Sequence, residues 1–90
     1  MASDQGNLDE PFELSIDLDR TSSTPLYTQI AEPLEHLIST GTLLPGRLIE
    51  DEISMACRLS VSRPTARRAL QELVSRGLVT RRRGVGTRVT

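Results

Sequence analysis

The chain has 90 residues, enough for one small domain, and its 37% of hydrophobic residues includes only two aromatic rings, so the core must be aliphatic. Its net charge of −1 hides a division, because residues 1–52 hold two arginines against eleven acids and residues 53–90 hold nine arginines against one acid. This division indicates a polyanion-binding surface in the last third, and the scarcity of rings argues against stacking on single-stranded bases.

The remaining composition excludes several classes of protein. Cys57 is the sole cysteine, so no disulfide forms within the chain, and we expect a small buried side chain there. No apolar run could span a membrane and no signal-peptide pattern occurs, so we expect a cytoplasmic protein without a membrane partner. No catalytic constellation is visible and the acids 50–52 have no converging His or Cys. We therefore expect no enzyme, cofactor or metal, and assign these acids to helix capping.

Residues 1–23 are polar and acidic without a sustained period, which predicts a mostly disordered segment. Within it, residues 12–18 alternate apolar and polar side chains, a weak strand signal. The folded domain is predicted over residues 24–90.

The first predicted helix has Thr24 as its N-cap, Pro25 at its first position and Gly41 as its C-cap. Pro33 lies inside the run, where it removes a hydrogen bond, so we expect a kink or two short helices. The apolar residues at helical spacing are Leu26, Ile30, Leu34, Leu37 and Ile38.

Two further helices are predicted after a turn at residues 42–46 and a short strand at 47–49. The second begins at the N-cap Asp51, and we expect it to face inward with Ile53, Ala56 and Leu59. The third has Ser62 as N-cap, runs to Arg76 and ends at Gly77. Its predicted buried stripe is Ala66, Ala69, Leu70, Leu73 and Val74.

Residues 78–83 and 87–90 are short β-type runs flanking a turn with two glycines, which predicts a hairpin. The fold class is therefore mainly α with a small β-hairpin (α+β): a winged helix-turn-helix of three helices and a C-terminal two-stranded wing.

Such a fold can place the start of the third helix in the major groove of DNA. There Arg63 and Arg67 would read base edges, while Ser62 and Thr65 would bind phosphates. An arginine at the hairpin tip can enter a minor groove, and the glycines let the backbone approach closely. The candidate DNA-binding residues are Ser62, Arg63, Thr65, Arg67, Arg68, Arg82, Arg83, Gly84 and Gly86. Arg58 and Arg76 could be solvated or contact phosphate, and Arg88 is expected to be structural.

Five stretches also carry a family resemblance: residues 25–30 (PLYTQI), 41–46 (GTLLPG), 61–70 (VSRPTARRAL), 77–79 (GLV) and 84–87 (GVGT). In order and spacing they resemble the N-terminal DNA-binding domain of GntR-family bacterial transcription regulators, over about residues 24–90. The resemblance implies DNA contacts at Ser62, Arg63, Thr65, Arg67, Arg83 and Gly84.

This sequence departs from the family pattern at three positions. Ile53 stands where an arginine commonly touches DNA, Ser60 replaces a glycine, and Pro33 is unusual. Family members also have a C-terminal effector-binding and dimerisation domain, so we expect the chain to be the N-terminal domain of a longer regulator.

We therefore expect sequence-specific binding of double-stranded DNA by a bacterial transcription regulator of the repressor type. The expected partner is a pseudo-palindromic operator bound by a homodimer of the full-length protein, with this chain alone a monomer. The alternative is a winged-helix protein–protein interaction module whose acidic half docks a basic partner, and RNA binding also stays open.

Overall fold

The computed structural model describes residues 7–90, and in this part of the chain three helices support a small antiparallel sheet. The elements in chain order are α1 (Leu26–Ser39), β1 (Leu48–Ile49), α2 (Glu52–Leu59), α3 (Arg63–Ser75), β2 (Val79–Arg82) and β3 (Gly86–Val89). Helix α3 packs against both α1 and α2. The core is aliphatic, as the composition predicts.

Helix α1 departs from prediction at its start, at its middle and at its end, where Thr40 and not the predicted Gly41 is the C-cap. Pro25 is the N-cap, because its ψ of 147° is extended, whereas the prediction placed Thr24 there. The helix runs through Pro33 as one element, so of the two predicted outcomes, a kink or a division into two helices, the division is wrong. Pro33 costs about 3 kcal/mol. Burial of Ile30 and Leu34 on either side offsets it, at roughly 1.5–3 kcal/mol for each side chain.

Helix α2 confirms its predicted cap but not its predicted inner face. Asp51 caps it, since its Oδ1 accepts the Ser54 N–H at 2.8 Å. Ile53 is 58% exposed, so its predicted inward position is wrong, and the fully buried Met55 takes that place. Cys57 is exposed as well, contrary to the expected burial, because the inner face of so short a helix is formed by Met55, Ala56 and Leu59.

The turn into α3 is made without glycine. Ser60 adopts the left-handed conformation (φ 56°, ψ 46°) and ends α2. Ser62 then caps α3 as predicted, accepting the Thr65 N–H at 3.2 Å. The buried stripe is confirmed at Ala66, Ala69, Leu70 and Leu73, whereas Val74 is only partly buried.

The predicted hairpin is confirmed by the antiparallel pairing of β2 and β3, from Val79 opposite Val89 to Arg82 opposite Gly86. Strand β1 pairs with the other edge of β3, so the strand order is β1-β3-β2. The sheet therefore has three strands where two were predicted for the wing, and β1 anchors the hairpin to the segment that leads into α2.

Residues 7–23, predicted as mostly disordered, differ from that prediction by lying on the domain. Phe12 forms a parallel bridge with Ile49, and Leu14 is 3% exposed in the core. The alternation of residues 12–18 explains this, because Ile16 and Leu18 also pack against the core. Arg20 donates to the carbonyl groups of Leu59 and Ser60, both at 2.9 Å, at the turn before α3. Residues 1–6 of the predicted disordered segment lie outside the described residues.

Candidate nucleic-acid interface

Glu52 joins the third helix to the hairpin. It is the first residue of α2, and its carboxylate accepts from Arg67 of α3 through Nη2 to Oε2 at 3.0 Å and Nε to Oε1 at 3.4 Å. Arg81 of β2 donates its Nη2 to the same Oε1 at 3.3 Å. The guanidinium groups of α3 and of the hairpin therefore meet at one carboxylate, which places the two basic elements side by side.

The charges of this cluster stabilise one another. The hydrogen bond from Arg67 lowers the pKa of Glu52 below its ordinary value, and the positive charges of Arg67, Arg81 and Arg63 lower it further. The same hydrogen bond raises the pKa of Arg67. Both shifts favour the charged forms of Glu52 and Arg67.

The start of α3 is held by two hydroxyl groups. The hydroxyl oxygens of Ser62 and Thr65 lie 2.8 Å apart, so one hydroxyl proton bridges them and the other is left to be donated outward. The Thr65 N–H is taken by the Ser62 cap and Pro64 has no N–H. The backbone N–H of Arg63 is therefore the donor of this first turn that remains available to an anion.

Three of the candidate arginines keep their guanidinium groups uncommitted. Within residues 7–90, the side chains of Arg63, Arg82 and Arg83 form no hydrogen bond and no ion pair, and all three residues are exposed. Arg63 begins α3, Arg82 ends β2, and Arg83 lies in the turn that follows. Arg63 acts on the Glu52 carboxylate through its charge, and Arg82 and Arg83 line one cleft together with Glu52.

The hairpin turn depends on two glycines with positive φ. Gly84 has φ of 82°, and a Cβ on it would meet nothing within 4 Å, so the backbone of the turn is open to close approach. Gly86 has φ of 94°, and a Cβ there would lie 3.0 Å from the Leu48 side chain of β1. Gly84 thus leaves the tip of the hairpin accessible, whereas Gly86 permits close packing against Leu48 of β1.

Arg68 is placed differently from the other candidates. Its guanidinium carbon lies 4.2 Å from the centroid of the Tyr27 ring of α1, and its Nη2 donates to the Tyr27 hydroxyl at 3.2 Å. The side chain is nevertheless 59% exposed. The structure therefore brings Arg68 to the α1 side of α3, away from the Glu52 cluster.

Three other arginines have structural partners. Arg58 is paired with the buried Glu50, and Arg76 is paired with Glu35 of α1. Arg88, expected to be structural, donates to the Gly46 carbonyl at 2.9 Å and pairs with Asp9 at 2.8 Å. These contacts tie elements of the fold together.

Glu52 is a site residue that was not predicted from the sequence. The acids 50–52 were assigned to helix capping, yet of the three only Asp51 caps a helix. Glu52 is separated from Arg67 by 15 positions and from Arg81 by 29, so no local spacing indicates the cluster.

Three further features of the described residues concern metal ions, membranes and an open cleft. Among residues 7–90, no group of His, Cys, Asp and Glu side chains is arranged to hold a metal ion. The helices of this region are also too short or too polar to cross a membrane. An open cleft of about 840 Å³ between the start of α2 and the hairpin is lined by Glu52, Ile53, Arg81, Arg82, Arg83 and Val85, among others.

The chain is similar in sequence to a known protein family and to several of its members. The family model described as "Bacterial regulatory proteins, gntR family" matches residues 26–89. The HTH-type transcriptional regulator GgaR of Escherichia coli (strain K12) is 39% identical over 67 residues, which are 74% of this chain and 27% of that protein. The HTH-type transcriptional repressor NagR of Bacillus subtilis (strain 168) is 37% identical over 75 residues, 83% of this chain and 31% of that protein. The chain thus spans about a quarter to a third of the length of these relatives.

Solved structures with the same winged-helix fold are also similar. YtrA from Sulfolobus acidocaldarius, a GntR-family transcription factor, superposes with a TM-score of 0.75 at 32% identity, covering 84% of this chain and 81% of that one. The DNA-binding domain of AraR in complex with operator ORX1 superposes with a TM-score of 0.68 at 32% identity, covering 86% and 92%. The predicted winged helix-turn-helix is confirmed by these similarities and by the elements themselves.

Proposed function

The chain belongs to the gntR family of bacterial regulatory proteins, and from that membership we propose that it binds double-stranded DNA sequence-specifically as the DNA-binding part of a transcription regulator. Helix α3 would enter the major groove and the hairpin would lie in the flanking minor groove. The observation that carries the proposal is the Glu52 cluster, which holds Arg67 of α3 beside Arg81 of the hairpin while Arg63 and Arg83 stay uncommitted. The AraR domain bound to its operator has the same fold.

Each candidate residue has a distinct role in this proposal. Arg63 and Arg67 read base edges from the start of α3, where a guanidinium can donate two hydrogen bonds to guanine. Ser62 and Thr65 bind a phosphate through the hydroxyl proton that their mutual hydrogen bond leaves over.

The hairpin residues bind a flanking groove. Arg82 and Arg83 supply positive charge, and Gly84 and Gly86 give the turn its shape and its close approach to the DNA backbone. Arg68 belongs to the proposal as a phosphate contact at the edge of the surface, reached from its exposed position on Tyr27.

The regulator as a whole is proposed to be a repressor that acts in the cytoplasm, where bacterial DNA lies. NagR, one of its relatives, carries a repressor name. A homodimer on a pseudo-palindromic operator would double the buried surface, since a single domain of this size buries too little for tight specific binding. This chain alone would then be a monomer that binds weakly and with steep salt dependence.

The test compares alanine variants of the proposed base-reading residues on two duplexes. One duplex is the sequence enriched by the wild-type chain from a random-sequence pool, and the other is its scrambled counterpart. Fluorescence anisotropy should show that Arg63→Ala and Arg67→Ala each reduce discrimination between them by about 1–3 kcal/mol. Arg76→Ala is the matched control, because Arg76 is paired with Glu35 of α1.

Three outcomes would count against the proposal. Equal loss on both duplexes would move Arg63 and Arg67 from bases to phosphates. A wild-type chain that enriches no sequence and binds no duplex at any salt concentration would favour the protein-interaction module instead. Preference for structured RNA over duplex DNA in direct competition would favour an RNA-binding function.

A further inference from the structure

We propose that Glu52 is a positioning residue for DNA recognition: it holds the Arg67 guanidinium in a base-reading orientation and restrains Arg67 and Arg81 from indiscriminate binding to phosphates. This inference rests on the proposed DNA-binding function and deepens it, since it names an acidic residue that sets specificity at a basic surface.

Arg67 keeps donors free for DNA while it is paired with Glu52. A guanidinium has five N–H donors in a rigid fork. Glu52 takes one edge of the fork, formed by Nε and Nη2. The other edge, formed by Nη1 and the second hydrogen of Nη2, keeps two parallel donors, which is the pattern that O6 and N7 of guanine accept.

Glu52 also limits the side-chain freedom of Arg67. An unpaired arginine samples many rotamers, and ordering it on DNA has an entropic cost. Arg67 is 53% exposed, so packing alone does not hold it, and the carboxylate of Glu52 provides the restraint. Because Glu52 itself is only 16% exposed and begins α2, its carboxylate is fixed relative to α3.

The negative charge of Glu52 also limits attraction to phosphates. Glu52 neutralises part of the charge of both Arg67 and Arg81 in the free protein. Phosphate attraction depends on the number of cations available, and each cation that neutralises a phosphate steepens the salt dependence by about 0.9 in logarithmic slope. Removing the carboxylate charge therefore frees one or two arginines for phosphates of any sequence.

Glu72 provides a matched control on the same helix. It carries the same charge and also faces two arginines, Arg68 at 3.9 Å and Arg76 at 3.7 Å. Those contacts are longer, and they lie toward the C-terminal half of α3. Glu72→Gln thus makes the same change of net charge as Glu52→Gln without touching the Arg67 fork.

The experiment measures binding of both variants to the enriched duplex and its scrambled counterpart over a range of NaCl concentrations. Glu52→Gln should bind the scrambled duplex on the order of threefold to tenfold more tightly at low salt, with a slope steeper by about 1–2. Its ratio of enriched to scrambled affinity should fall about tenfold. Glu72→Gln should keep the wild-type ratio within about twofold.

Two results would overturn the inference. One is a Glu52→Gln variant that keeps the wild-type ratio, and the other is a Glu72→Gln variant that loses it equally. Either result leaves the proposed function standing if the wild-type chain still discriminates, whereas a wild-type chain that binds no duplex removes the proposed function itself. Thermal unfolding of each variant detects a folding defect. The salt slope separates such a defect from a change in recognition, because a merely structural role of Glu52 would not make the slope steeper.

A measurement on the wild-type chain keeps the test independent of variant folding. The Nε–H resonance of Arg67 in a nitrogen–proton NMR spectrum reports its hydrogen bond with Glu52. In the complex with the enriched duplex this resonance should stay protected from solvent exchange, because Glu52 holds the guanidinium while its free edge contacts a base. Loss of that protection on binding would show that Arg67 leaves Glu52 for DNA, which contradicts the inference.

Discussion

The buried carboxylate of Glu50 forms an ion pair with Arg58, and Nη2 of Arg58 also donates to the carbonyl of Leu14 at 2.6 Å. Glu50 Oε2 also accepts the Leu14 N–H at 3.3 Å. One ion pair therefore connects the end of β1, helix α2 and the segment before α1. The start of the helix-turn-helix is tied to a part of the chain whose composition predicts disorder.

Glu50→Gln should destabilise the domain by about 1.5–3 kcal/mol, because it weakens hydrogen bonds between charged groups and leaves the partly buried Arg58 unpaired. Urea unfolding followed by circular dichroism measures the change. Glu72→Gln removes the same charge from exposed pairs and should change the unfolding free energy by less than about 1 kcal/mol. Equal losses of unfolding free energy in the two variants would show that the buried pair of Glu50 and Arg58 stabilises the domain no more than the exposed pairs of Glu72 do.

The two apolar residues near the start of α2 should respond differently to truncation. Met55→Ala should cost about 2–5 kcal/mol, since Met55 is fully buried and the change leaves a cavity. Ile53→Ala should cost less than about 1 kcal/mol, because Ile53 is 58% exposed. Chemical unfolding of both variants checks this, and a larger loss at Ile53 would restore the inner face predicted from the sequence.

The hairpin glycines should differ in the same way. Gly84→Ala should cost about 1–2 kcal/mol, the strain of a left-handed residue in open space. Gly86→Ala has the same strain and also brings a Cβ to 3.0 Å from Leu48, so its loss of stability should be the larger. Thermal unfolding of the pair tests the order, and equal losses would show that Leu48 of β1 does not pack against Gly86.

The Glu52 cluster should make stability depend on pH. Arg67 lowers the pKa of Glu52 from its ordinary value of 4.5, so the contribution of the carboxylate is present above about that pH and is lost as the pH falls through the lower folded-state value. The difference in unfolding free energy between the wild-type chain and Glu52→Gln should therefore be largest near pH 7 and shrink below about pH 4. Urea unfolding at pH 7 and pH 3 measures it, and a difference that grows in acid would contradict the assignment.

Local sequence signals predict the recognition elements well. The Ser62 cap, the periodic stripe of α3 and the two glycines of the hairpin are short-range features, and each is confirmed except for Val74 in the stripe, which is only partly buried. Short helices are harder, because the eight residues of α2 leave its inner face ambiguous, and Ile53 and Cys57 were assigned wrongly. Strand β1 was predicted from the local pattern at residues 47–49. Its pairing with β3 could not be predicted in the same way, because it joins residues about forty positions apart.

Long-range charge pairing could not be predicted from the sequence. Nothing local distinguishes Glu50, which is buried against Arg58, from Glu52, which joins α3 to the hairpin. The same holds for Arg68, whose candidate role came from its place on α3 but whose neighbour Tyr27 is 41 positions away. The sequence thus indicates which residues carry charge, and the fold decides which of those charges are free.

Mapping the binding surface of the wild-type chain by NMR tests the central claim most directly, namely that the start of α3 and the hairpin form one surface for duplex DNA. The duplex enriched from a random-sequence pool is added to isotope-labelled protein at low salt. We predict that the largest amide shifts fall at residues 62–68 and 81–86, with α1 and residues 7–23 little changed. Shifts confined to the acidic N-terminal half, or none at all, would contradict the account.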